Sequence, residues 1–309
     1  MLFGLGLLAG VATVAAAAIL AGPWLIENAG DRQLDLLASK GTASSAAGQP
    51  GPTVAPRPQE PRPLPRPAAV EAARAFAVDR DGLVSFAVVD TRGGTYGLDE
   101  ARTYVSASVV KAMLLVAELD RLAAEGLPLD QVTRDTLHAM ITYSDNVAAD
   151  TIYYRVGDEG LFEVARRAGM RDFTVSGYWA NAQLSARDMA RFMDRLKRVL
   201  TGPHADFAAG LLTAIVPEQR WGIPEATPEG WRIRFKGGWR GTELGQLVHQ
   251  IARLENGRRE LAIAVLTDGQ PTMEYGIETV RGIAERLLSD PENPRGSQPP
   301  GGRAARPES

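Results

Sequence analysis

Lysine is scarce in this chain: of 34 basic residues only Lys40, Lys111, Lys197 and Lys236 are lysines. Arginine stays protonated in a protein, whereas a lysine gives up its proton when burial or a neighbouring cation disfavours the charge. Two of the four stand in apolar or glycine-rich surroundings, Lys111 in Ser108-Val109-Val110-Lys111 and Lys236 at the head of Lys236-Gly237-Gly238-Trp239. Their amine chemistry is therefore the first to consider. Cysteine is absent, which excludes disulfides and thiol nucleophiles. Histidine is nearly so: His138, His204 and His249 lie far apart without metal-ligand spacing, and neither a metal nor a cofactor is expected. A net charge of −3 argues against a bulk electrostatic role on nucleic acid.

Charge is also missing from Met1 to Ile26, a run of Leu, Val, Ala and Ile long enough to cross a bilayer, although Pro23 would end its helix early. The run reads as a membrane anchor holding the rest of the chain outside the cytoplasm. A cleaved secretory signal, with small-residue sites such as Ala16-Ala17-Ala18, would instead release a secreted protein. No basic residue precedes the run to fix its orientation. Residues 27–67 are rich in Pro and Ala, as in Pro61-Arg62-Pro63-Leu64-Pro65-Arg66-Pro67, and read as an extended stalk. Residues 68–290 form the expected globular body, and 291–309 a disordered Pro, Gly and Arg tail.

Within the body, period-two patterns predict strands over 83–90, 95–98, 231–236, 245–254 and 259–267, the last two joined by a turn at 255–258. Helical periodicity covers 68–77, 109–124, 135–153, 161–168, 186–200, 206–215 and 276–288. Strands from both ends of the body, with helices between, predict an α+β fold. A five-stranded antiparallel sheet is flanked by the first and last helices, and an all-helical lobe is inserted.

The segment Val109 to Leu122 is apolar around nearly its whole circumference and belongs in the interior. Lys111 lies in its first turn, three residues after Ser108 and on the same face. A buried, neutral lysine beside a serine hydroxyl is a general base for a nucleophile. Read conservatively, Ser106 or Ser108 caps the helix and Lys111 reaches solvent. Downstream, Ser144-Asp145-Asn146 breaks an apolar helical pattern, as a helix-to-helix turn capped by Asp145 or Asn146 would. Lys236-Gly237-Gly238 ends a strand and leaves its backbone approachable, or forms a plain glycine turn. Trp179, Trp221, Trp231 and Trp239 would line a cleft or pack structurally, and residues 219–224 would form a rim.

Taken in order, Ser108/Lys111, Ser144-Asp145-Asn146 and Lys236-Gly237-Gly238 resemble the Ser-x-x-Lys, Ser-Asp-Asn and Lys-Thr-Gly signatures of the penicillin-recognising serine hydrolases, most closely the class A β-lactamase-like branch. The resemblance implies that Ser108 attacks a carbonyl, Lys111 takes its proton with help from the charge of Lys236, and Ser144 relays a proton to the leaving group. It also implies that Asn146 holds a substrate amide beside Gly237 and Gly238, and that the backbone N–H groups of Ser108 and Trp239 form the oxyanion hole. Gly237 replaces the signature Thr, which puts carboxylate recognition in doubt unless Arg240 or Thr242 substitutes. Between Gly169 and Ala186 there is no Glu to activate a deacylating water, only Asp172, so slow β-lactam turnover is expected. The expected activity is that of a serine hydrolase or acyltransferase acting on a small-molecule, peptide or ester substrate, with cell-wall peptides as the class the resemblance implies. A binding module with a weakened site is the alternative, and a working β-lactamase the third reading.

Overall fold

The computed structural model describes residues 64–90, 92–257 and 259–289. The expected anchor, the stalk as far as residue 63, and the tail lie outside the described residues. Among the described residues, no helix is long and apolar enough to cross a membrane.

The body opens with helix α1 (Pro67–Val78), whose proline supplies the fixed φ of a first helical turn. Strands β1 (Leu83–Val89), β2 (Thr95–Leu98) and β3 (Thr103–Val105) follow. A single 3-10 turn, Ala107–Val110, leads into α2 (Lys111–Glu125), then α3 (Gln131–Thr142) and α4 (Asn146–Ala168). After β4 (Gln183–Ser185) come α5 (Ala186–Asp194) and the short helices α6 (Leu196–Val199), α7 (Ala205–Leu211) and α8 (Ile223–Ala226). Three 11-residue strands, β5 (Arg232–Thr242), β6 (Gly245–Glu255) and β7 (Glu260–Gln270), precede the closing helix α9 (Met273–Leu288).

The main sheet runs β2-β1-β7-β6-β5, antiparallel throughout, so strands from the two ends of the body meet at β1 and β7. In β1, β6 and β7 nearly every residue is buried, because α1 and α9 cover one face of the sheet and α5 the other. That is the α+β architecture expected. β3 and β4 form a separate two-stranded sheet that the sequence pattern did not reveal, since three-residue strands carry no readable period.

Two boundaries differ in ways that matter for the site. The pattern over 135–153 is two helices: the chain breaks at Ser144, whose φ of 60° is left-handed, and restarts with Asp145 as N-cap accepting from the Ala148 N–H at 2.7 Å. The conservative capping reading of that segment was correct, and it coexists with a site there. Lys236-Gly237-Gly238 does not end its strand either. β5 continues to Thr242, paired residue for residue with β6. The glycines hide this continuation because they contribute no side-chain alternation.

Candidate active site

Helix α2 packs against α4 and α3, while the 3-10 turn before it packs on β5 and β6, and Ala112, Met113, Leu114 and Leu115 are fully buried. Lys111, in its first turn, is drawn in with them and is completely buried. Its Nζ donates to the Ser144 carbonyl at 2.5 Å and to Asn146 Oδ1 at 2.7 Å, and lies 3.4 Å from Ser144 Oγ. The solvent-reaching alternative is excluded. Lys236, at mid-strand in β5, is also fully buried; its Nζ reaches Ser144 Oγ at 3.0 Å and the Gly237 carbonyl at 2.9 Å. Two amines thus meet at one hydroxyl.

Burial lowers the Lys111 amine to about 8, with Asp145 and Asp150 pulling it back up. Lys236 falls well below the usual lysine range, through burial first and the Lys111 charge second. Carboxylates pull only the Lys111 amine back up, those of Asp145 and Asp150. The sequence suggested that the charge of Lys236 depresses Lys111; the geometry makes desolvation the main cause there.

The third element joins through a glycine. A Cβ on Gly238 would lie 2.8 Å from the Ser108 nitrogen and 2.9 Å from the Val109 nitrogen, closer than real side chains approach backbone. Only glycine lets β5 press against the turn that carries Ser108, which brings the peptide leading into Trp239 alongside it. Gly237 is different: a Cβ there would meet only the Trp221 and Trp239 rings, at 3.5 Å or more. Those two rings pack edge to face at 5.8 Å, and Trp239 is 36% exposed.

Ser108 itself is half-buried in the 3-10 turn. The preceding Ala107 has a φ of 44°, so both serine-bearing turns of the site contain a strained, left-handed non-glycine residue. Several bonds hold the Ala107 strain. Ser106 donates from Oγ to the Trp179 carbonyl at 3.0 Å and from its backbone N–H to the Ala182 carbonyl at 2.7 Å. His249 lies opposite Gly238 in the β5–β6 register. Its Nδ1 accepts the Thr267 N–H at 3.1 Å, so Nε2 carries the proton and donates to the Val105 carbonyl at 3.0 Å. Burial pushes this ring down to about 4, keeping it neutral.

Of the eight residues singled out from the sequence, Lys111, Ser144, Asn146, Lys236 and Gly237 are joined by hydrogen bonds, Gly238 abuts the Ser108 turn and Trp239 packs against Trp221 beside Gly237; among the described residues no hydrogen bond joins Ser108 to Lys111. The sequence did not find His249, Asp150 or the role of Trp179. The Trp179 ring is 2% exposed, lies 4.9 Å from Lys111 Nζ, and is fixed by its indole N–H donating to Asp150 Oδ1 at 2.7 Å. Asp150 follows Asn146 by one helical turn, a signal that was present but carried no special pattern. Of the rim residues, Gln219 donates to the Tyr143 carbonyl at 3.0 Å and Trp221 faces Gly237. Trp231 packs on the core instead. Thr242 is bound to Asp268 at 2.6 Å in the β5–β6 hairpin and does not replace the missing hydroxyl; Arg240 bonds Asn181 at 3.2 Å. Asp172 accepts from Ser185 at 2.7 Å and pairs with Arg187 at 2.8 Å, a structural role.

Comparison with known proteins bears on the family and the fold. Residues 130–290 match the family model described as the beta-lactamase enzyme family, a span that contains Ser144 and Lys236 but starts after Ser108. Among solved structures, the beta-lactamase from Sphaerobacter thermophilus is 22% identical, covering 75% of this chain and 98% of its own, with a TM-score of 0.64. The class A beta-lactamase from Mycobacterium abscessus is 21% identical, covering 71% and 98%, with a TM-score of 0.61. PBP-A is 15% identical, covering 71% and 94%, at 0.62. At these identities the likeness is one of fold. No curated protein matches the sequence.

Proposed function

The chain belongs to the β-lactamase enzyme family, and from that footing we propose that it is an acyl-serine hydrolase or acyltransferase with Ser108 as nucleophile. The observation that carries the reading is the pair of buried amines sharing Ser144 Oγ, at 3.4 and 3.0 Å, with no carboxylate among the described residues bonded to either. Neutral Lys111 takes the proton as Ser108 Oγ adds to the substrate carbonyl. The oxyanion so formed is met by the N–H groups of Ser108 and Trp239, donors worth about 3–4 kcal/mol each when removed from such a site. As the carbonyl re-forms, the bond to the leaving nitrogen or oxygen breaks, and that atom takes, through Ser144, the proton that Lys111 received from Ser108. Water or an acceptor amine then releases the acyl group from Ser108.

The substrate is an amide, peptide or ester. With Gly237 bearing no hydroxyl and the Trp221–Trp239 pair beside it, recognition is aromatic and apolar at this wall, in keeping with a neutral group rather than a carboxylate. Deacylation of β-lactams is slow, because the one acid between Gly169 and Ala186 is consumed by Ser185 and Arg187. The uncharged segment 1–26 and the Pro-rich stretch after it support a tethered domain outside the cytoplasm that meets wall-derived peptides. Intact-mass analysis after incubation with a labelled penicillin tests the reading. A persistent adduct on Ser108, absent in Ser108→Ala, is expected. No adduct with several β-lactams and activated esters would leave a binding module. Rapid loss of the drug without an adduct would make the protein a working β-lactamase. Release of activity from the membrane fraction on deleting residues 1–26 tests the tether.

A further inference from the structure

On the body, away from the site just described, a cavity of about 550 Å³ opens where β1 ends, α4 stops and α5 passes into α6. Four guanidinium groups line it, Arg171, Arg191, Arg195 and Arg198, against a single carboxylate, Asp194. Elsewhere many arginines meet an acid at contact distance: Arg121 and Arg155 with Glu118, Arg187 with Asp172, Arg234 with Glu255. At the cavity three do not. The side chains of Arg171, Arg191 and Arg198 make neither a hydrogen bond nor an ion-pair contact with any described residue, although Arg191 is half-buried. Arg195 is fixed by donating to the Ala168 carbonyl at the end of α4, at 2.9 Å. Gly169 makes this fit possible, since at its φ of +68° a Cβ would lie 2.1 Å from Arg195 Nη1. Asp194 is one carboxylate among four guanidinium groups: burial raises its carboxyl, while the charges of Arg253, Arg195 and Arg198 pull it back down.

Like charges gathered in a concavity repel one another unless an anion joins them, and planar guanidinium forks match phosphate oxygens two at a time. We infer that this cavity is a binding site for a phosphate group carried on an organic molecule. Three unpartnered forks exceed what one carboxylate accepts, which favours a dianionic phosphomonoester or a pyrophosphate. Volumes of about 300–1,000 Å³ suit organic ligands, and Val89 and Met170 give the rest of the molecule an apolar wall. The lining shares no residue with the acylation site.

Calorimetric titration of the full chain at fixed ionic strength tests the site, with inorganic pyrophosphate as the soluble probe and dihexanoyl phosphatidic acid as the lipid-headgroup probe. Saturable one-to-one binding of at least one probe is expected, weakened about tenfold or more in Arg191→Gln/Arg198→Gln while penicillin acylation of Ser108 is unchanged. Tighter binding of phosphatidic acid identifies a lipid headgroup as the source, and tighter binding of pyrophosphate a soluble phosphate. No saturable binding of either probe, or an unaltered Kd in the double variant, overturns the inference. Should the double variant fail to melt cooperatively, the exposed single change Arg198→Glu replaces it, and an unaltered Kd there overturns it equally.

Discussion

Acylation of Ser108 is expected to follow the neutral fraction of Lys111 as pH changes. With the amine lowered to about 8 by burial, about one hundredth of the protein carries the free base at pH 6, about one tenth at pH 7 and about one half at pH 8. The single-turnover acylation rate should therefore rise about tenfold from pH 6 to 7, about fivefold more to pH 8, and level off above pH 9. Lys236 is lowered too, by burial first and by the Lys111 charge second. Asp145→Asn keeps a side-chain acceptor for the Ala148 N–H but removes a charge that raises Lys111, so the rising limb should move to lower pH. Lys111→Arg removes the base, since a guanidinium holds its proton near neutrality, and should slow acylation by at least about 100-fold. Stopped-flow mixing with a fluorescent penicillin or an activated ester, checked by intact mass, measures all three. Equal rates at pH 6 and 9, or wild-type acylation in Lys111→Arg, would refute the assignment of Lys111 as base.

The two glycines of β5 should behave oppositely. Gly238→Ala forces a Cβ onto the Ser108 and Val109 nitrogens and should abolish acylation with a loss of about 1–3 kcal/mol in a denaturant melt, whereas Gly237→Ala should retain both activity and stability. His249 is neutral in the fold, with a value of about 4 against 6.5 when unfolded. The unfolded chain binds the extra proton between those values, so stability should fall by about 2 kcal/mol from pH 6.5 to 5 through this ring alone. His249→Gln should flatten that part of the pH dependence of unfolding. Asp172→Asn should lower stability by about 1–3 kcal/mol, through loss of the Arg187 pair and the Ser185 bond, yet leave the acyl-enzyme lifetime unchanged. A shortened or lengthened lifetime would return Asp172 to the chemistry.

Local patterns carried much of the fold. Alternation is strong where a strand is half-buried and helical periodicity is strong where one face meets a core, so the elements around Leu83, Val109 and Met273 were legible within a few residues. The 11-residue reach of β5 was not, because the backbone bonds of Gly237 and Gly238 to β6 leave no trace in side-chain pattern. The break at Ser144 was visible as polar residues, but not as a left-handed turn, since that conformation is imposed by neighbours rather than preferred by serine.

The sequence by itself determined which side chains could do chemistry: a chain that writes arginine almost everywhere keeps lysine at Lys111 and Lys236, each beside a serine or a pair of glycines. Only the tertiary structure decided what state those amines are in and what surrounds them. Desolvation is a property of packed neighbours, not of sequence spacing, and the neighbours of Lys111 come from α4 and from the Trp179 segment. The same holds for His249, unremarkable in the sequence, which becomes a strut for the Ser108 turn because β6 sets it opposite Gly238. The unpaired arginines around Arg191 became visible in the same way, once α4 and α5 had closed around them.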